Sequence, residues 1–156
     1  MNEKTWKVGF IASSGGHLEE ITRLKKIESA YDSFLVTEKG DFKLPDFGRR
    51  QYLVPQMNRR EVLFLPKFIW LFAHAVKLLK IERPDFLITT GALVAYPMCV
   101  VAKIMGIKVI YIESYARVHK PSLTGRLLYN FSDLFVVQWD DMLVEYPKAV
   151  LGGGIF

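Results

Sequence analysis

The chain has 156 residues, 51% of them hydrophobic and 24% charged, which is enough apolar material for one domain with a sizeable core and too much for a disordered protein. Its formal charge of +5 and pI near 9.3 point to an anionic partner such as a phosphate, an acidic lipid surface or nucleic acid, without choosing among them. Cys99 is the single cysteine, which excludes a disulfide scaffold and a cysteine-rich metal site and predicts a buried core thiol.

Residues 1–7 are polar and run directly into an apolar segment, with no signal-peptide pattern, so the protein is expected in the cytosol. Hydrophobic periodicity predicts strands over 7–12, 33–37, 51–54, 86–89, 108–112 and 134–137. Between them it predicts helices over 17–27, 66–81, 96–105, 122–129 and 140–146, and 149–151 is a candidate last edge strand. Continuous apolar strands alternating with crossover helices predict an α/β fold, a Rossmann-like doubly wound parallel sheet covered on both faces. Ligands of such sheets bind at the carboxyl ends of the strands. Three loops fall there: Ser13-Ser14-Gly15-Gly16-His17, Thr89-Thr90-Gly91 and Glu113-Ser114. The first, small and glycine-rich between strand and helix, offers unpaired backbone N–H groups to an anion, although tight packing alone also calls for glycine at such a turn.

The segment 58–80 carries an unusually wide apolar face, with Phe64, Phe68, Trp70 and Leu71 among it, rimmed by Arg59, Arg60, Lys67, Lys77 and Lys80. A core helix explains part of that width. The remainder is expected to dip into the interface of an anionic membrane. Pro66, Lys67, His74 and Lys77 interrupt the stretch, so no segment is expected to cross a bilayer.

Other chemistries lack their signatures. The loop 13–19 has no dinucleotide-type glycine spacing, although Glu38 stands where a ribose-binding acid would, and there is no Walker loop. His17, His74 and His119 are scattered, so neither a metal nor another cofactor is predicted. Asp140 and Asp141 are read as a helix cap. The aromatic residues do not alternate with basic ones, which argues against nucleic acid.

The stretches ASSGGHLEE (12–20), ITTGALVAYP (88–97) and YIESYARVHKPSLTGRLLYNFSDLFVVQW (111–139) together resemble the acceptor-side half of GT-B glycosyltransferases related to MurG. Those enzymes have two Rossmann-like domains, and residues 1–156 are expected to form a single acceptor-side domain equivalent to the N-terminal half. The chain is similar to Alg14-type proteins of oligosaccharide biosynthesis and to bacterial capsule or exopolysaccharide glycosyltransferase enhancers. The resemblance implies an accessory subunit of a two-component, UDP-sugar-dependent inverting transferase. A donor-binding partner would supply the nucleotide-sugar site, and this subunit would recruit it to the inner face of the cell membrane and to a polyprenyl-diphosphate-linked sugar. Eukaryotic members carry an N-terminal membrane helix; none is expected here, and peripheral membrane contact is expected instead from Phe64, Lys67, Phe68, Trp70 and Leu71.

Carried over by position, Ser14, Gly15 and Gly16 would face the acceptor diphosphate, with Thr90, Gly91 and the basic Arg60 assisting. His17 is the first candidate for the base that takes the acceptor proton and Glu113 the second. Each has a structural alternative: His17 as a residue that only positions the loop, and Glu113 as a buried partner of Arg117 or a backbone amide. Gly153, Gly154, Ile155 and Phe156 form a short apolar tail expected to dock on the partner. A purely scaffolding subunit and a stand-alone transferase are the competing functions.

Overall fold

A computed structural model describes residues 5–58 and 60–155. In chain order it contains β1 (Lys7–Ala12), α1 (Gly16–Thr22), α2 (Lys25–Ala30), β2 (Asp32–Glu38), β3 (Arg50–Val54), α3 (Phe64–Glu82) and β4 (Phe86–Thr89). There follow α4 (Ala95–Ile104), β5 (Lys108–Ile112), α5 (Leu123–Leu128), β6 (Leu134–Val137), α6 (Met142–Glu145) and β7 (Val150–Leu151). All neighbouring strands pair in parallel, in the order β3-β2-β1-β4-β5-β6-β7. This is the Rossmann-like sheet expected from the apolar runs. The strand order reverses between β1 and β4, and the crevice outside their carboxyl ends is where such sheets take ligands.

Two apolar layers hold the sheet. On one face Ile11, Phe34, Val36, Leu87 and Val109 pack under α3 and α4 through Leu71, Ala75, Leu79, Met98 and Cys99. On the other, Val8, Phe10, Leu35 and Ile88 pack under Leu18 and Ile21 of α1 and under Phe47. Cys99 is the buried core thiol expected, and burial pushes it up to about 12. At the amino edge, Lys7 and Arg50 bridge Asp32 and Glu82, tying β1, β2 and β3 to the end of α3.

Three expectations are corrected. The helix over 17–27 is two helices, because Arg23 and Leu24 N–H turn back to the carbonyls three residues earlier and Leu24 leaves helical geometry. The break turns Glu28 inward, where it accepts from Gly48 N at 2.9 Å and Ser33 Oγ at 3.4 Å. Leu71, expected at a membrane, is 0% exposed and belongs to the core under α3. Asp141 precedes α6 without a side-chain capping bond and pairs with His119 Nδ1 at 2.8 Å.

Candidate functional site

The loop after β1 stands at the point of strand reversal. Gly15 adopts φ +80, a backbone conformation that favours glycine, and starts α1 without a side-chain cap. Gly16 has no such constraint, and a Cβ built there would meet nothing within 4 Å. Neither crowding nor backbone strain inside the chain therefore calls for glycine at 16; open space in front of the loop remains. Two clefts flank it, one of about 430 Å³ beside Lys43 and Phe42 and one of about 500 Å³ beside Lys39 and Gln56, with Ser14 lining both. Each cleft carries one lysine and one acid, Lys43 with Glu19 and Lys39 with Asp41. Glu38 accepts from Met57 N at 2.9 Å and Ser14 Oγ at 3.5 Å, so it braces the loop.

The loop after β4 closes against the first. Thr90 Oγ1 donates to the His17 carbonyl at 2.9 Å. Gly91 has φ +107, and a Cβ there would lie 2.9 Å from Tyr111 Oη and 3.4 Å from His17 Cε1. Glycine thus allows the half-buried His17 ring to rest against this loop. Within the ring, Nδ1 is shut away from solvent without a partner, leaving Nε2 on the open side.

Glu113, at the end of β5, has a different situation. It is 1% exposed. Its Oε1 accepts from Ser114 N at 3.1 Å and Tyr111 Oη at 3.3 Å. Its Oε2 accepts from Ser122 N and Ser122 Oγ, both at 3.2 Å, and from Tyr146 Oη at 2.9 Å. Gly125 presses on the same group, since a Cβ there would come within 2.2 Å of Oε2. Burial and the Glu113 charge push both the Tyr111 and Tyr146 phenols up. These contacts match the structural alternative for Glu113, a buried partner of backbone amides: both carboxylate oxygens are filled by amides and hydroxyls, and the group anchors the β5–α5 turn.

The buried acid of α1 is Glu20, which the sequence reading did not single out. It is 4% exposed. Oε1 accepts from Ser114 Oγ at 2.8 Å and Tyr115 N at 3.0 Å, whereas Oε2 is buried without a partner. Its spacing of three from His17 on a helix was the available signal.

The remaining site candidates divide by position. Arg60 is exposed in the turn before α3, with its amide bonded to Asn58 Oδ1 at 3.0 Å, and contributes no contact to the crevice. Phe64 stacks on Phe68 at 5.5 Å, and Phe68 on Tyr96 at 6.3 Å, which leaves both rings half-buried; Lys67 pairs with Glu61. Trp70 is 44% exposed and lies on His74 at 4.7 Å. At the approach to α3 and in its first turns the outward apolar residues are Val62, 98% exposed, with Leu63, Leu65 and Ile69. Because α3 follows the carboxyl end of β3, this apolar end shares an edge with the crevice. Ile155 N donates to Gln138 Oε1 at 3.0 Å, and a Cβ on Gly154 would lie 3.2 Å from Tyr115, so the tail, with Gly153 at φ +71, is fastened at that edge too. Arg59 and Phe156 lie outside the described residues.

A cleft of about 1110 Å³ lies at the opposite edge of the sheet, lined by Trp6, Arg83, Phe86 and Lys108 among others, and belongs to a different surface. Among the described residues no group of three or more His, Cys, Asp or Glu could hold a metal, and no helix is long and apolar enough to cross a membrane.

In solved structures the fold matches MurG from Acinetobacter baumannii at 16% identity and TM-score 0.68, over 87% of this chain and 42% of that one. It also matches a UDP-N-acetylglucosamine 2-epimerase from Rickettsia bellii at 12% identity and TM-score 0.73, over 97% and 45%. The chain thus spans less than half the length of those enzymes, and the likeness is one of fold. In sequence it is 30% identical to the UDP-N-acetylglucosamine transferase subunit ALG14 of Homo sapiens, over 93% of this chain and 81% of the relative. The corresponding subunit of Candida albicans is 28% identical, over 92% and 75%. Residues 57–155 match the family model described as oligosaccharide biosynthesis protein Alg14 like. A match that runs from the α3 approach through Glu113 to the fastened tail, with relatives aligned along nearly the whole chain, makes this protein a member of the Alg14-like family.

Proposed function

We propose that this chain is the acceptor-side subunit of a two-component glycosyltransferase that recruits a donor-binding partner to a membrane surface and to a polyprenyl-diphosphate-linked sugar. The donor is a UDP-sugar, and UDP-N-acetylglucosamine is the one that the relatives' names supply. One observation carries the reading: the open glycine loop at 13–17 and the exposed apolar approach to α3 lie at the same edge of the sheet. A lipid-linked diphosphate needs both within reach, an apolar surface for its anchor and amides with cations for its head.

In this account Ser14, Gly15 and Gly16 turn backbone amides to the acceptor diphosphate, with Lys39 and Lys43 beside them and Thr90 and Gly91 closing the far side. Arg60 supplies a further cation from the approach to α3. The acceptor hydroxyl oxygen attacks the anomeric carbon, the bond from that carbon to the diphosphate oxygen breaks, UDP departs with the partner subunit, and the proton passes to His17 Nε2. Gly153, Gly154, Ile155 and the exposed edge strand β7 offer the partner its contact. The product belongs to lipid-linked oligosaccharide or capsular polysaccharide assembly on the inner face of the cell membrane.

Reconstitution tests this. Co-purified with a donor-side subunit, the chain is expected to support transfer from a UDP-sugar to a polyprenyl-diphosphate-linked sugar, with neither chain active alone. Transfer by this chain alone, or by the partner alone at the full rate, would contradict the proposal.

A further inference from the structure

Two polar atoms of α1, His17 Nδ1 and Glu20 Oε2, are shut from solvent without a partner. The residues are three apart on one helix, which sets their side chains on the same face. Both are held. The His17 carbonyl accepts from Thr90 Oγ1 at 2.9 Å, and its ring lies against Gly91. Glu20 is pinned by its other oxygen to Ser114 Oγ at 2.8 Å and Tyr115 N at 3.0 Å. Buried polar groups in native proteins are paired, so two orphans on adjoining positions of one face call for each other or for a water between them.

We propose that Glu20 is the positioning residue of His17: its free Oε2 accepts the hydrogen bond of Nδ1–H through one trapped water, and so leaves Nε2 unprotonated on the open side of the ring. An ionised carboxylate has acceptor capacity only, so it dictates which nitrogen carries the proton. The charged groups acting on Glu20 are His17 from its own helix and Glu113 from the end of β5. Burial raises the Glu20 carboxyl; the Ser114 hydroxyl, protonated His17 and the Tyr115 amide oppose that rise, and Glu113 adds to it. The inference rests on His17 as the proton acceptor of the proposed transfer, and it names the group that makes Nε2 fit for that task.

The test is the tautomer of His17, read by long-range 1H–15N correlation on the 15N-labelled full chain, at a pH above the ordinary titration ranges of both groups. A His17→Gln variant assigns the resonances against His74 and His119. In the wild type the proton is expected on Nδ1. In Glu20→Gln the fixed donors Ser114 Oγ and Tyr115 N keep the amide oxygen, so the amide NH2 faces His17 and donates to the trapped water, which donates in turn to Nδ1. The proton then moves to Nε2, and the two 15N resonances exchange their protonated and unprotonated positions. An Nε2–H tautomer in the wild type, or an unchanged tautomer in folded Glu20→Gln, overturns the proposal; if the variant does not fold, the wild-type spectrum decides. The role of His17 in transfer is tested separately, because full turnover by His17→Ala in the assembled complex would refute that role and leave the tautomer result standing.

Discussion

Glu113→Gln separates an anchoring carboxylate from a reacting one. The wild-type group takes Ser114 N and Tyr111 Oη on one oxygen and Ser122 N, Ser122 Oγ and Tyr146 Oη on the other. Glutamine retains one acceptor oxygen. With that oxygen towards Ser122 and Tyr146, the new NH2 confronts the Ser114 N–H; reversed, it confronts Ser122 N–H and the Tyr146 hydroxyl. Either orientation sets an NH2 against the two or three donors of one oxygen, hydrogen bonds to a charge of about 1.5–3 kcal/mol each that rotating hydroxyls recover in part, and strands a buried N–H. The expected loss is about 3–5 kcal/mol, a large share of the stability of a domain this size. Urea denaturation measures it as a lower midpoint at unchanged m-value. A loss below about 1 kcal/mol would refute the anchoring role. Gly125→Ala, whose methyl would press on the same oxygen at 2.2 Å, is expected to lower the midpoint as well.

Replacing Val62, Leu65 and Ile69 together by Glu removes exposed apolar surface at about 1 kcal/mol apiece for partial interfacial burial, so binding to anionic vesicles should fall about 100-fold in a sedimentation assay with the fold unchanged. Unaltered binding would move the membrane surface elsewhere. Asp133 gives an acid-stability prediction. Burial pushes its carboxyl up, but the Val109 amide, Lys103 and Lys108 more than offset this and hold it at about 2 against an ordinary 3.8. Its folded value is depressed, so its contribution is complete above the ordinary value and lost as pH falls from about 4 to 2. Solvent screening of the lysines leaves it worth about 1 kcal/mol. Asp133→Asn should cost that amount at neutral pH and converge with the wild type below about pH 2, as followed by urea midpoints. Deleting residues 152–156 should abolish copurification with the donor-side subunit; retained binding would show that the partner docks elsewhere.

The sheet was legible because its strands are short, continuous apolar runs, and the crevice because small and glycine-rich segments recur at their carboxyl ends. What escaped depends on packing and on contacts between distant parts of the chain. Residues 68–72 are all apolar, so periodicity could not tell that Leu71 points to the core while Ile69 points outward. The break at Leu24 goes with a contact of Glu28 to Gly48, 20 residues away along the chain. Glu113 looked reactive because it follows a strand; the donors that fill it come from Ser122 and Tyr146, as far as 33 residues away. Beyond its spacing from His17, nothing in the local pattern marks Glu20, because the residues that hold it, Ser114 and Tyr115, lie beyond β5.

The central claim is that the loop 13–17 faces the lipid-linked acceptor while the donor is held by another chain. Gly16→Val tests it most directly, because a side chain there enters open space in front of the loop without meeting the protein's own atoms at its Cβ. In steady-state kinetics of the assembled transferase, the KM for the polyprenyl-diphosphate-linked sugar should rise at least about tenfold, equivalent to roughly 1.4 kcal/mol, with the KM for the UDP-sugar unchanged. A raised KM for the UDP-sugar with an unaltered acceptor KM would contradict the account.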